Sequence, residues 1–235
     1  MEEMKVTYES PDFLIVDKPA GMIVHRVKGA TGDREGARYL TDALILQYPE
    51  LSKVGDDPEW RPGIVHRLDK DTSGVMVIPR TQEYFEYLKK LFQEKKVHKT
   101  YKALVYGVIK DDFGTINRPI GLKGGTTKRT VHGGKMIKEA VTDYRVLERY
   151  DDFTLVEVMP QTGRTHQIRV HLAFLGYPIV GDTLYGGKKQ KKSLLAAGRQ
   201  FLHAYSIEFD PTPGHRATFV SELPEDLSGI LAKLA

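Results

Sequence analysis

"HRLDKDTSGVMVIPRTQEYFEYLKKLFQEKKVHKTYKALVYG", residues 66–107, strings together a charged turn, an apolar run, an amphipathic run and an alternating run. "GVMVIPRT" is apolar enough for a buried strand. "TQEYFEYLKKLFQEKK" places Phe85, Leu88, Leu91 and Phe92 on one helical face, with Thr81 as the N-cap. "KTYKALVYG" alternates with period two, putting Tyr101, Ala103 and Val105 on one face of a strand and Thr100, Lys102 and Leu104 on the other. Working outward, "KVTYES-PDFLIVDKPAGMIVH" reads as two strands broken by Pro19 and Gly21, and a polar, Gly-rich loop spans 29–36. Leu40, Ala43, Leu44 and Gln47 predict a helix ending near Pro49. "AVTDYRVLER" and "FTLVEVMP" predict a strand pair, and "TGRTHQIRVHLAFLG" a helix capped near Thr162 and stopped by Gly176, with Ile168, Leu172 and Leu175 facing the core. "FLHAYSIEFD" and "HRATFVSEL" return to strands. Strands and helices mix without regular alternation, which favours α+β over a doubly wound parallel sheet.

The 235 residues suit one large domain or two small ones, and a single domain spanning 1–235 is expected. Apolar residues make up 40% and charged residues 28%, an ordinary globular balance. There is no cysteine, which excludes disulfides, thiolate metal sites and cysteine nucleophiles and fits a cytoplasmic setting. No apolar run approaches the roughly 20 residues of a membrane-spanning helix. The net charge of +4 suits a phosphate-bearing partner and equally an enzyme of small molecules. Without heptads or a long apolar edge, a monomer is expected.

Three stretches mix charged or aromatic groups with apolar framework: "HRLDKDTSG" (66–74), "KTYKALVYG" (99–107) and "QTGRTHQIRVHLAFLGYPIVGDTLYG" (161–186). A carboxylate among guanidinium groups stays ionised at neutral pH and can serve as nucleophile or electrostatic stabiliser. Asp69, between Arg67 and Lys70, reads either as such a group or as part of a salt-bridged turn. Tyr101 and Arg169 likewise read as site residues or as an ordinary strand tyrosine and helix-edge arginine. His66, Asp69, His166 and His171 do not make a metal site by spacing, because His166 and His171 are five apart and not an i, i+4 pair.

Taken in order, these motifs resemble those of the RluA family of RNA pseudouridine synthases: "HRLD" with "KDTSG", then "KTYKALVYG", then "TGRTHQIRVH" with "GYPIVGDTLYG", and finally "RQFLHA" (199–204). The resemblance runs from about Phe13 to about Leu223. It implies a mixed, largely antiparallel sheet flanked by helices, an active site in a basic cleft, and isomerisation of uridine to pseudouridine within RNA without metal or cofactor. Asp69 would be the catalytic aspartate, attacking the anomeric carbon or taking a sugar proton. Tyr101 would lie against the uracil, and Arg169 would pair with Asp69. Arg67 would fill the gap left by the flipped uridine, Ile168 and Leu202 would wall the uracil pocket, and His66 and Arg164 would complete substrate binding. Many relatives carry a small RNA-binding module ahead of the catalytic domain, and the resemblance here starts near residue 6, without it. Large-subunit rRNA is the expected substrate, with tRNA the other candidate. The competing reading is a protein of this fold that binds and remodels RNA with modification secondary. The basic stretches at 121–129 and 186–192 read as solvated loops or as an RNA clamp of Lys123, Lys128, Arg129, Lys188 and Lys189.

Overall fold

The computed structural model describes residues 3–27, 36–126, 128–187 and 197–234. In chain order its elements are β1 (Lys5–Glu9), β2 (Phe13–Lys18), α1 (Leu40–Gln47), a 3-10 turn (Pro49–Lys53), β3 (Ser73–Pro79), α2 (Gln82–Gln93), β4 (His98–Tyr106), β5 (Phe113–Asn117), β6 (Ile120–Leu122), β7 (Arg129–Thr130), β8 (Lys135–Lys138), β9 (Val141–Arg149), β10 (Phe153–Pro160), α3 (Gln167–Phe174), β11 (Leu202–Thr212), β12 (His215–Val220) and α4 (Glu225–Leu231). The chain divides into two compact units, one of Met1–His98 with Ser206–Ser221, the other of Lys99–Tyr205 with Glu222–Ala235. The fold is α+β, as expected, and all the strand pairings given below are antiparallel. Part of the Gly-rich loop expected at 29–36 lies outside the described residues.

In the first unit β2 pairs with both β1 and β3, with Phe13 opposite Pro79 and Lys18 opposite Gly74. Every residue of β3 is buried, which is why its sequence reads as a continuous apolar run rather than an alternation. α2 begins as expected: Thr81 Oγ1 accepts from the Tyr84 amide at 3.2 Å, satisfying one of the first-turn donors. Its buried face is Tyr84, Phe85, Leu88 and Leu91, and each such side chain contributes on the order of 1.5–3 kcal/mol by leaving water. The β11–β12 hairpin (from Ser206 onward) is held to this unit by aromatic contacts, with Phe13 edge-on to Phe209 and Phe219 and stacked on Tyr84.

In the second unit β10 sits between β4 and β9, and β9 also pairs with β5. A separate three-stranded sheet, in the order β7-β6-β8, occupies 120–138. The basic stretch 121–129, read from sequence as a solvated loop or an RNA clamp, is for its greater part the turn between β6 and β7, with strand residues at its ends. Its charge pattern hid a sheet whose pairing partner, β8, lies outside the stretch.

α3 begins at Gln167 rather than near Thr162. His166, at φ 58°, is in the left-handed region and interrupts any helix from Thr162, so the first turn is closed another way. The Gln167 side chain reaches back: its Oε1 accepts from the Arg164 amide at 3.0 Å and from the Thr162 hydroxyl at 2.7 Å. Thr162 Oγ1 in turn accepts from the Val141 amide. Gly176, at φ +84°, ends the helix as expected. Ile168 and Leu172 are buried, while Leu175 is only half-buried.

Candidate active site

The first unit carries Asp69 on an irregular stretch leading into β3. The alternation "HRLDKD" gives the stretch its two aspects: Leu68 is buried and anchors it, while Arg67, Lys70 and Asp71 are exposed and Asp69 is half-buried. The Thr72 amide closes a turn on the Asp69 carbonyl at 3.1 Å. His66 is held by the unit itself: its Nε2 accepts from the Val77 amide at 3.1 Å and its ring stacks on Phe92 at 5.0 Å. The turn is fastened from below by Lys18, whose side chain is fully buried. Its ammonium donates to the carbonyls of Pro19 (2.8 Å), Met22 (2.9 Å) and Lys70 (3.1 Å). Three carbonyls thus satisfy hydrogen-bond donors of the buried ammonium. The Gly21 amide also donates to the Lys70 carbonyl, at 2.9 Å. His25, which feels the charges of Arg67 and Arg61, is pushed below the ordinary histidine range, chiefly by burial and further by those two cations.

The second unit carries the other expected residues. Tyr101 is buried on β4 opposite Val158 of β10. Lys99, two residues earlier and so on the same face, has its proton affinity lowered by burial. Arg169 is 8% exposed on α3 and forms a bidentate pair with Asp182: Nε to Oδ2 at 2.7 Å and Nη2 to Oδ1 at 3.0 Å. The Asp182 carboxylate also accepts from the Leu184 and Tyr185 amides at 2.9 and 3.0 Å. Ile168 and Leu202 are buried at 6% and 3%, consistent with pocket wall or core. Arg164 is exposed and donates through Nε to the Glu139 carbonyl at 3.1 Å.

The histidines weighed as metal ligands are engaged otherwise. His171 is wholly buried, with Nδ1 against Thr142 Oγ1 at 2.8 Å and Nε2 against the Arg118 carbonyl at 3.0 Å. His166 Nδ1 meets the Tyr185 hydroxyl at 2.9 Å. Among the described residues no three His, Asp or Glu side chains gather into a cation cluster. Of the residues proposed to clamp RNA, Lys128 and Arg129 are tied to the turn after Asp182, Lys128 through its ammonium on the Leu184 carbonyl and Arg129 through its amide on the Tyr185 hydroxyl. Lys123 starts the tight turn between β6 and β7, its carbonyl accepting from the Thr126 amide. Lys188 and Lys189 lie outside the described residues.

The structure therefore brings Asp69, Arg67 and His66 onto one stretch of the first unit, and places Tyr101, Arg169, Ile168, Leu202 and Arg164 in the second. Sequence reasoning missed Lys18 and Asp182 as supports. A lysine closing the apolar strand "FLIVDK" ahead of Pro19 was a usable signal for the first. For the second the signal was an aspartate after glycine in "VGDTLYG", a turn whose carboxylate can collect amides.

The antiparallel α+β frame is that of RNA pseudouridylate synthase domains, the class of the solved structures it superposes on. The family model for RNA pseudouridylate synthase matches residues 12–174. A protein of Pseudomonas aeruginosa named ribosomal large subunit pseudouridine synthase D is 41% identical over 99% of this chain and 72% of its own length. An uncharacterised RNA pseudouridine synthase of Bacillus subtilis is 40% identical over 99% of this chain and 73% of its own. Among solved structures, human RNA pseudouridylate synthase domain containing 1 superposes with a TM-score of 0.74 at 28% identity, covering 97% of this chain and 88% of that one. Human RNA pseudouridylate synthase domain containing 4 does so with a TM-score of 0.75 at 26% identity, covering 97% and 92%. The chain belongs to the RNA pseudouridine synthase family, the isomerases that convert uridine in RNA to pseudouridine. None of the described helices is long and apolar enough to cross a membrane.

Proposed function

We propose that this protein isomerises uridines of large-subunit ribosomal RNA, with Asp69 as the catalytic aspartate and both units serving one catalytic domain. The observation that carries the choice of RNA is the 41% identity, over nearly the whole chain, to a relative named for large-subunit modification. Support for Asp69 is local. It is the half-buried carboxylate on a stretch whose backbone is braced by Lys18, Gly21 and Thr72, so its position costs little to hold during reaction. Asp69 attacks the anomeric carbon or removes a sugar proton, Arg169 orients its carboxylate, and Tyr101 lies against the uracil. The target uridine leaves its stack at a cost of roughly a few kcal/mol. Arg67, exposed on the same stretch, offsets part of that cost by stacking and phosphate contact. Ile168 and Leu202 wall the uracil, His66 and Arg164 complete substrate binding, and Lys123, Lys128, Arg129, Lys188 and Lys189 take phosphates. The protein works in the cytoplasm as a monomer, without cofactor.

Unmodified transcripts of large-subunit rRNA and of tRNAs are incubated with wild type and with Asp69→Asn, and pseudouridine is mapped by carbodiimide modification and primer extension. New stops in rRNA with wild type only are the expected result. Stops confined to tRNA would move the substrate, and stops that survive in Asp69→Asn would remove Asp69 from the chemistry.

A further inference from the structure

The Arg169–Asp182 pair does more than neutralise a buried charge. Asp182 accepts four hydrogen bonds: Arg169 Nη2 and the amides of Leu184 and Tyr185 on Oδ1, and Arg169 Nε on Oδ2. At 1% exposure the carboxylate is shielded from solvent and faces the Arg169 guanidinium. What it can do is fix a guanidinium. One edge of Arg169 is held in the bidentate geometry that a planar fork makes with a carboxylate, and its face lies 5.2 Å from the centre of the Tyr185 ring.

The turn that presents this carboxylate is itself rigidly set. The Asp182 amide donates to Ile179 and its carbonyl accepts from Gly186. Gly181, at φ +75°, lies so close to the Arg199 carbonyl that a Cβ would sit 1.9 Å from that oxygen. The Tyr185 hydroxyl accepts from the Arg129 amide at 2.9 Å and meets His166 Nδ1, pinning the far end of the turn to β7 and to the residue just ahead of α3. The turn thus grips both the helix carrying Arg169 and the side chain itself.

We propose that Asp182, carried on the 181–186 turn, is a positioning residue for Arg169, fixing the guanidinium so that it can orient the catalytic carboxylate. The inference rests on the role given to Arg169 above. Its test is single-turnover kinetics on the rRNA substrate with RNA affinity and thermal melting followed in parallel. Asp182→Asn keeps the shape but loses the charged fork, and a displaced orienting group lowers the chemical step on the order of 10²-fold. RNA affinity stays within about twofold, and in an Arg169→Lys background the same change adds less than about twofold, because the two residues act as one unit. Loss of rate and affinity together, or losses that multiply in the double variant, overturns the proposal. If Asp182→Asn does not fold, Asp182→Glu decides: it keeps the charge and moves the fork by one methylene. A rate at least about tenfold lower with melting preserved supports positioning, and an unchanged rate overturns it. An active wild type with a fully active Asp182→Asn overturns this inference alone, whereas a wild type inactive on every RNA overturns the reading beneath it.

Discussion

Lys18→Met tests whether the aspartate turn is built around a buried ammonium. The substitution keeps the side-chain length and removes three donors. The Lys70 carbonyl retains the Gly21 amide, so two carbonyls, of Pro19 and Met22, lose the partner that Lys18 supplies. At about 1–3 kcal/mol for each buried acceptor left unsatisfied, the loss is about 2–6 kcal/mol. Against it stands the relief of no longer burying an ammonium, which in buried ionic networks reaches about 1–4 kcal/mol when the replacement is a well-packed apolar side chain. Here the carbonyls remain after the substitution, so the loss prevails, and about 1–2 kcal/mol of net destabilisation is expected. Urea unfolding followed by fluorescence of Trp60, the single tryptophan and a residue of the same unit, reads it. For a chain of this size the thermal midpoint falls by roughly 2–8 °C. A variant within about 0.5 kcal/mol of wild type would refute the reasoning, because it would mean the three carbonyls are satisfied without the ammonium.

Two further outcomes follow from local geometry. Gly181→Ala puts a methyl group into the Arg199 carbonyl and a side chain at φ +75°; both penalties act, and a loss of at least about 2 kcal/mol in urea unfolding is expected. His171 is held below its ordinary value of 6.5 by burial, only partly offset by its bond to the Arg118 carbonyl. The unfolded chain therefore binds the proton first: stability is independent of this group above about pH 6.5 and falls as pH drops below it, until the folded protein also protonates. The difference between wild type and His171→Asn in urea midpoints, measured from pH 7.5 downward, should narrow below about pH 6.5; a constant difference would show that His171 does not titrate with unfolding.

The α+β class and most elements were legible in the sequence because they rest on local periodicity and turn chemistry. Thr81 caps α2 and the 74–79 run is a buried strand, both as read. The failures have one cause. The start of α3 is displaced because His166 takes a left-handed conformation and Gln167 caps backward, choices made by packing on β9 through Val141 and Thr142. At 121–129 only the flanking strand residues were missed, because β8, to which β6 pairs, lies further along the chain.

The same division holds for the candidate site. Asp69, Tyr101 and Arg169 were visible as candidate residues in ordered motifs, since a motif is a local record of residue types and their spacing. That Lys18 braces the Asp69 turn across 52 residues, and that Asp182 takes hold of Arg169, could not be read from spacing. Both are satisfied polar networks between distant segments, and which donor meets which acceptor is settled only when the chain is packed and every buried polar group must find a partner. The sequence by itself determined most of the elements and offered the candidate reacting groups; the tertiary structure decided what those side chains and their backbone meet.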